Sequence, residues 1–134
     1  MAIDYGSKRT GIAVTDPFRI IASGLTTVHS KDLISFLEDY FKKETVDLVV
    51  IGEPKTLSNE QSASARFIDP FVKHFARKFP GIIVKRFDER FTSSLAHKTM
   101  IDGGLKKKDR QNKATVDMIS ATILLQDFMT SIML

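Results

Sequence analysis

Ile3-Asp4-Tyr5-Gly6-Ser7-Lys8-Arg9-Thr10-Gly11-Ile12-Ala13-Val14 is the stretch on which the fold turns. Apolar residues stand on either side of a polar turn bracketed by Gly6 and Gly11, the pattern of two short strands joined by a tight reversal. Asp16-Pro17 marks a second turn, and Ile20-Ile21-Ala22 resumes the apolar pattern behind it. The chain from Ile3 to Val28 is therefore expected to form a three-strand antiparallel meander.

Further along, the hydrophobic period changes. Leu33, Phe36, Leu37, Tyr40 and Phe41 recur at three and four residue intervals, giving a helix with one apolar face, for which Ser30 is the expected N-cap. Val46 to Ile51, broken only by Asp47, is a nearly continuous aliphatic run, as in a parallel strand covered on both faces. Ser58 and Gln61 have capping-box spacing, and Ala63, Phe67, Phe71, Phe75 and Phe79 repeat along a second helix. Pro70 lies inside that pattern, where it removes a hydrogen bond at a cost of about 3 kcal/mol, so a kink or break is expected near Asp69. Ile82 to Phe87 reads as the next strand, a short helix is expected over Ser93 to Ile101, and a long closing helix over Arg110 to Met129. The order is three strands, helix, strand, helix, strand, helix, helix: an α/β mixed sheet with helices on its faces.

Composition sets limits. At 134 residues and 43% hydrophobic, the chain is expected to be one domain spanning 1–134. The absence of cysteine excludes disulfides, thiolate metal sites and cysteine nucleophiles. No apolar run approaches the roughly 18 to 20 residues that span a bilayer, so no membrane partner and a cytoplasmic location are expected. The net charge of +4 favours phosphate-rich partners, and Lys106, Lys107, Lys108, Arg110 and Lys113 gather part of it into one segment after Gly103-Gly104. Such a run is either a nucleic-acid contact or a solvated loop.

The acids carry the chemistry. Asp4 ends the first strand, which this order of elements puts near the centre of the sheet, where a carboxylate is costly unless it is paired or coordinates a metal. It could instead cap the turn that follows. Asp117 precedes Ala121, Leu124, Leu125 and Phe128 on the helix stripe that should face the sheet, and there it needs a cation or a basic partner, Lys113 being one turn away. Asp88 and Glu89 are consecutive at the carboxyl end of a strand, so they point to opposite faces and only one can join a site with Asp4. Glu53 is a further candidate at the same edge. Arg90 either pairs with the remaining acid or contacts a phosphate. Lys8 and Arg9 are phosphate clamps or exposed turn residues. Carboxylates gathered from distant parts of a chain suit divalent cations, which activate water and offset charge in phosphodiester hydrolysis. An actin-like or sugar-kinase-like ATPase also uses an Asp-x-Gly turn, but it closes two domains around its nucleotide, for which this chain is too short.

Together, Asp4-x-Gly6-x-x-Arg9-x-Gly11-x-Ala13 with Asp16, Val50-Ile51-Gly52-x-Pro54, Asp88-Glu89-Arg90-Phe91-Thr92 and Lys113-x-x-x-Asp117 before Ile123-Leu124 resemble the YqgF (RuvX-like) family over essentially the whole chain. The resemblance implies an RNase H-like fold, an antiparallel three-strand meander plus parallel strands with helices on both faces. It implies a Mg²⁺- or Mn²⁺-dependent endonuclease with Asp4, Glu89 and Asp117 as metal-binding catalytic acids and Lys8, Arg9 and Arg90 as backbone contacts. The implied substrates are structured RNA, in 5′-end maturation of pre-16S rRNA with the ribosome or its precursors as partner, or alternatively branched DNA at a Holliday junction. A non-catalytic nucleic-acid-binding module of the same fold is the reading from another class. Lys106, Lys107, Lys108, Arg110 and Lys113 would then hold the strand. Members usually carry more apolar residues ahead of this aspartate than the three here, so either the start lies upstream or the first strand is trimmed; Glu53 stands where leucine is common.

Overall fold

The computed structural model describes residues 1–53, 65–88 and 112–133. The expected meander is formed by β1 (Ala2–Tyr5), β2 (Arg9–Thr15) and β3 (Ala22–His29), all antiparallel. β4 (Leu48–Glu53) and β5 (Ile83–Asp88) extend the sheet in parallel from the other side of β1. The order β3-β2-β1-β4-β5 makes β1 the central strand, and the mixed α/β sheet is the RNase H-like arrangement expected.

Helices cover both faces. Helix α1 (Leu33–Lys43) and helix α2 (Ala65–Lys78) pack on one side, where Ile3, Ile12, Val49 and Ile51 meet Leu33, Leu37, Ile68, Phe71 and Phe75. Helix α3 (Lys113–Met133) lies on the other, with Ala2, Ala13 and Val50 against Ala121, Leu124, Leu125 and Phe128. Alternate residues of each central strand thus belong to different cores, as the period of two requires. Every apolar residue predicted after Asp117 is buried in this second core.

Three local expectations are corrected. The third strand does not include Ile20-Ile21, which stand 69% and 61% exposed in the reversal; it begins at Ala22. The Asp16 carboxylate accepts the N–H groups of Ile20 and Ile21 at 2.7 and 2.8 Å, and these bonds hold its carboxyl below the ordinary range. A turn fixed by that acid, with Arg19 in the left-handed region at φ 59°, needs more residues than the dipeptide suggested. Helix α2 runs without a break through Pro70, because Ile68, Phe71 and Phe75 anchor it to the core on both sides and offset the lost hydrogen bond. Its apolar face is also rotated by one residue at the start: Ile68 enters the core, while Phe67 is half exposed beneath the Arg66 guanidinium at 5.6 Å. The Ser58/Gln61 capping box and the helix over Ser93 to Ile101 lie outside the described residues.

Candidate active site

Asp4 stands near the carboxyl end of the central strand. Strand alternation puts it on the α3 face with Ala2, while Ile3 is buried beneath α1 and α2. The chain then reverses through Gly6, where a Cβ would lie 2.4 Å from the Arg9 carbonyl oxygen, so only glycine fits.

The reversal is clamped by a residue expected to do something else. Ser30 is not the N-cap of α1, which follows a 3₁₀ turn over Ser30–Asp32. Its hydroxyl donates to the Gly6 carbonyl and accepts from the buried Thr10 hydroxyl at 2.8 Å, while its N–H donates to the Lys8 carbonyl at 3.0 Å. Ser30→Asp separates the two roles, since aspartate is an excellent N-cap but has no proton to give Gly6. The variant is expected to lose about 1–3 kcal/mol, the cost of leaving buried polar groups unsatisfied, in chemical denaturation. Unchanged stability would return Ser30 to a capping role.

Asp4 is paired across the ladder with Gly11, and Gly11 is where α3 crosses the sheet. A Cβ on Gly11 would stand 2.0 Å from the Asp117 carbonyl oxygen and 2.5 Å from its carbonyl carbon. The missing side chain lets the helix backbone touch the strand, bringing Asp117 to the α3 face beside Asp4's own ladder partner. Thr27 Oγ1 fixes the helix start by donating to the Ala114 carbonyl at 2.6 Å.

Asp117 has a basic partner, but it is Arg9, not Lys113. Arg9 Nε donates to Asp117 Oδ2 at 2.9 Å, with the side chains 29% and 27% exposed. Lys113 is exposed at the first turn of α3. Helical spacing favoured the lysine, whereas the ladder lays Arg9 beside the helix that crosses at Gly11. Lys8 is exposed in the Gly6 turn.

Register also sorts the remaining acids. Glu53 and Asp88 are direct neighbours on β4 and β5. Glu53 is two residues from Ile51 and four from Val49, and Asp88 is four from Val84, so both belong to the α1/α2 face, opposite Asp4. Arg86 shares that face, donating to the Ile51 and Gly52 carbonyls at 3.3 Å each and reaching Asp69 at 3.6 Å. Glu89, Arg90, Lys106, Lys107, Lys108 and Arg110 lie outside the described residues. Among the described residues no three acidic or histidine side chains form a metal-ligating group.

Asp4 and Asp117 are two hard oxygen donors on one accessible face, and the Asp117 carboxylate already holds a cationic group. That donor set fits a Mg²⁺-like ion, which binds through one or two carboxylates and keeps several waters. The chain has no cysteine, so metals that require thiolate ligands are not served.

Residues 1–131 match a family model described as RuvX, Holliday junction resolvase. The chain is 61% identical over 130 residues to a Flavobacterium psychrophilum protein provisionally named a pre-16S rRNA nuclease, covering 97% of this chain and 95% of that one. Relatives with the same provisional name from Christiangramia forsetii and Bacteroides thetaiotaomicron are 57% and 55% identical. The Christiangramia match covers 96% of both proteins, and the Bacteroides match covers 98% of this chain and 95% of the relative.

Proposed function

Because this chain belongs to the RuvX family, we propose that it is a metal-dependent endonuclease acting in 5′-end maturation of pre-16S rRNA in the cytoplasm. The observation that carries this reading is the approach of α3 to Gly11, which puts Asp4 and Asp117 on one face of the sheet.

In this reading Asp4 and Asp117 hold Mg²⁺ or Mn²⁺, with Glu89 as the third carboxylate. The position of Asp88 on the face opposite Asp4 argues against Asp88 as that ligand. The same argument removes Glu53 from the ligand set. Held there, a divalent cation would supply activation of water and compensation of negative charge at a phosphate. Arg9 and Lys8 flank this face and, with Arg90, would grip the phosphate backbone. Lys106, Lys107, Lys108, Arg110 and Lys113 would bind the strand as well, so their replacement by neutral residues should flatten the salt dependence of binding.

The second reading is resolution of branched DNA, favoured by the description of the family model. End-labelled RNA containing a precursor 16S 5′ end and a four-way DNA junction, each with Mg²⁺, Mn²⁺ or EDTA, discriminate the two. Metal-dependent cutting of the RNA is expected. Cutting of the junction alone would select the second reading, and binding of either without cutting would leave a nucleic-acid-binding module.

A further inference from the structure

Arg9 reaches Asp117 through Nε alone, and among the described residues its terminal nitrogens donate to no protein atom. A guanidinium carries five N–H donors in a rigid fork, and the four other than Nε–H have the geometry to meet an incoming group with paired oxygens, such as a phosphate. Both partners are about equally accessible, and an ion from solvent can therefore reach the carboxylate that Arg9 occupies.

The two cations compete. Nε–H uses lone-pair capacity on Oδ2, and its positive charge repels a second cation. For charges of +1 and +2 roughly 5 Å apart in a water-like dielectric, the repulsion corresponds to about a tenfold change in affinity at low salt. Orienting Asp117 works in the opposite direction, but fixing one short side chain is a smaller effect than this charge repulsion.

We propose that Arg9 is a resident counter-ion for Asp117: it holds the carboxylate until a divalent cation takes it over, and the released guanidinium then engages a nucleic-acid phosphate. One side chain thereby couples metal loading to substrate grip, and Arg9 positions Asp117 in the metal-free protein. This inference rests on the reading that Asp4 and Asp117 hold the cation.

Calorimetric titration of Mg²⁺ into wild type, Arg9→Met and Arg9→Lys at low salt tests it. Methionine keeps the packing of the aliphatic stem without the charge, and lysine keeps the charge. Arg9→Met is expected to bind Mg²⁺ about tenfold more tightly than wild type and Arg9→Lys within about threefold of it. Arg9→Met should also bind a short single-stranded RNA less well in the presence of Mg²⁺. An arginine that merely propped Asp117 would give weaker metal binding in Arg9→Met. Equal or weaker affinity there overturns the inference, as does a lysine variant that tightens as much as the methionine one. Wild type requires no substitution for a second readout: the NMR signal of Arg9 Nε–H should move as Mg²⁺ saturates, and a stationary signal would overturn the inference while leaving metal binding intact. Failure of wild type to bind Mg²⁺ at all would instead remove the cation reading and the inference together.

Discussion

Gly11→Ala is expected to destabilise the protein by about 3 kcal/mol or more, at or beyond the upper end of what overpacking costs, and to disable the candidate site with it. The added methyl would meet the Asp117 carbonyl oxygen at 2.0 Å and the Met118 nitrogen at 3.1 Å. These are backbone atoms of a helix whose Ala121, Leu124 and Leu125 are buried against the sheet, so no side-chain rotation relieves the clash. Helix α3 must lift from β2, which opens the second core and carries Asp117 away from Asp4. Thermal denaturation should show a fall on the order of 10 °C. Gly81→Ala is the control: a Cβ there meets nothing within 4 Å, and its melting temperature should stay close to wild type. If Gly11→Ala melted like Gly81→Ala, the close crossing of helix and strand would be wrong.

Asp4→Asn should leave stability within about 1 kcal/mol and remove cleavage. The amide keeps the shape of the carboxylate but not its charge, and a neutral oxygen is a poor ligand for a divalent cation. Even partners outside the first ligand shell of a metal cost 10–100-fold when lost, so a ligand itself should cost at least about a hundredfold in kcat/KM. Asp117→Asn should do the same and also weaken the Arg9 ion pair. The double variant is expected to be scarcely worse than either single one, since residues that act as a unit are not additive. Losses that multiplied would mean that the two acids serve separate steps.

Much of this arrangement was legible in the sequence because it depends on period and punctuation. Alternation around Gly6 and Gly11 located β1 and β2, the aliphatic run ending at Ile51 located β4, and the stripe after Asp117 placed that acid on the buried side of α3. Partner choice was less accessible. Lys113 is one turn from Asp117, whereas Arg9 lies at the other end of the chain and is adjacent only after the helix crosses β2. Ser30 carried the local signal of a helix cap, and its competing bonds to Gly6 and Thr10 exist only once the meander has closed. Pro70 shows the reverse case, in which aromatic burial overrides a local preference: Phe71 stacks on Tyr5 with ring centroids 4.6 Å apart and Phe75 is wholly buried, so the helix continues. Register puts Glu53 and Asp88 side by side on the α1/α2 face, a placement that a single chain read locally does not specify.

Anomalous scattering from crystals grown with Mn²⁺ locates the cation without depending on turnover. A peak is expected within ligand distance, about 2.0–2.3 Å, of carboxylate oxygens from both Asp4 and Asp117, absent from Asp4→Asn crystals. A saturating Mn²⁺ concentration that leaves this face without a peak, or places the ion on Glu53 and Asp88 across the sheet, would contradict that expectation.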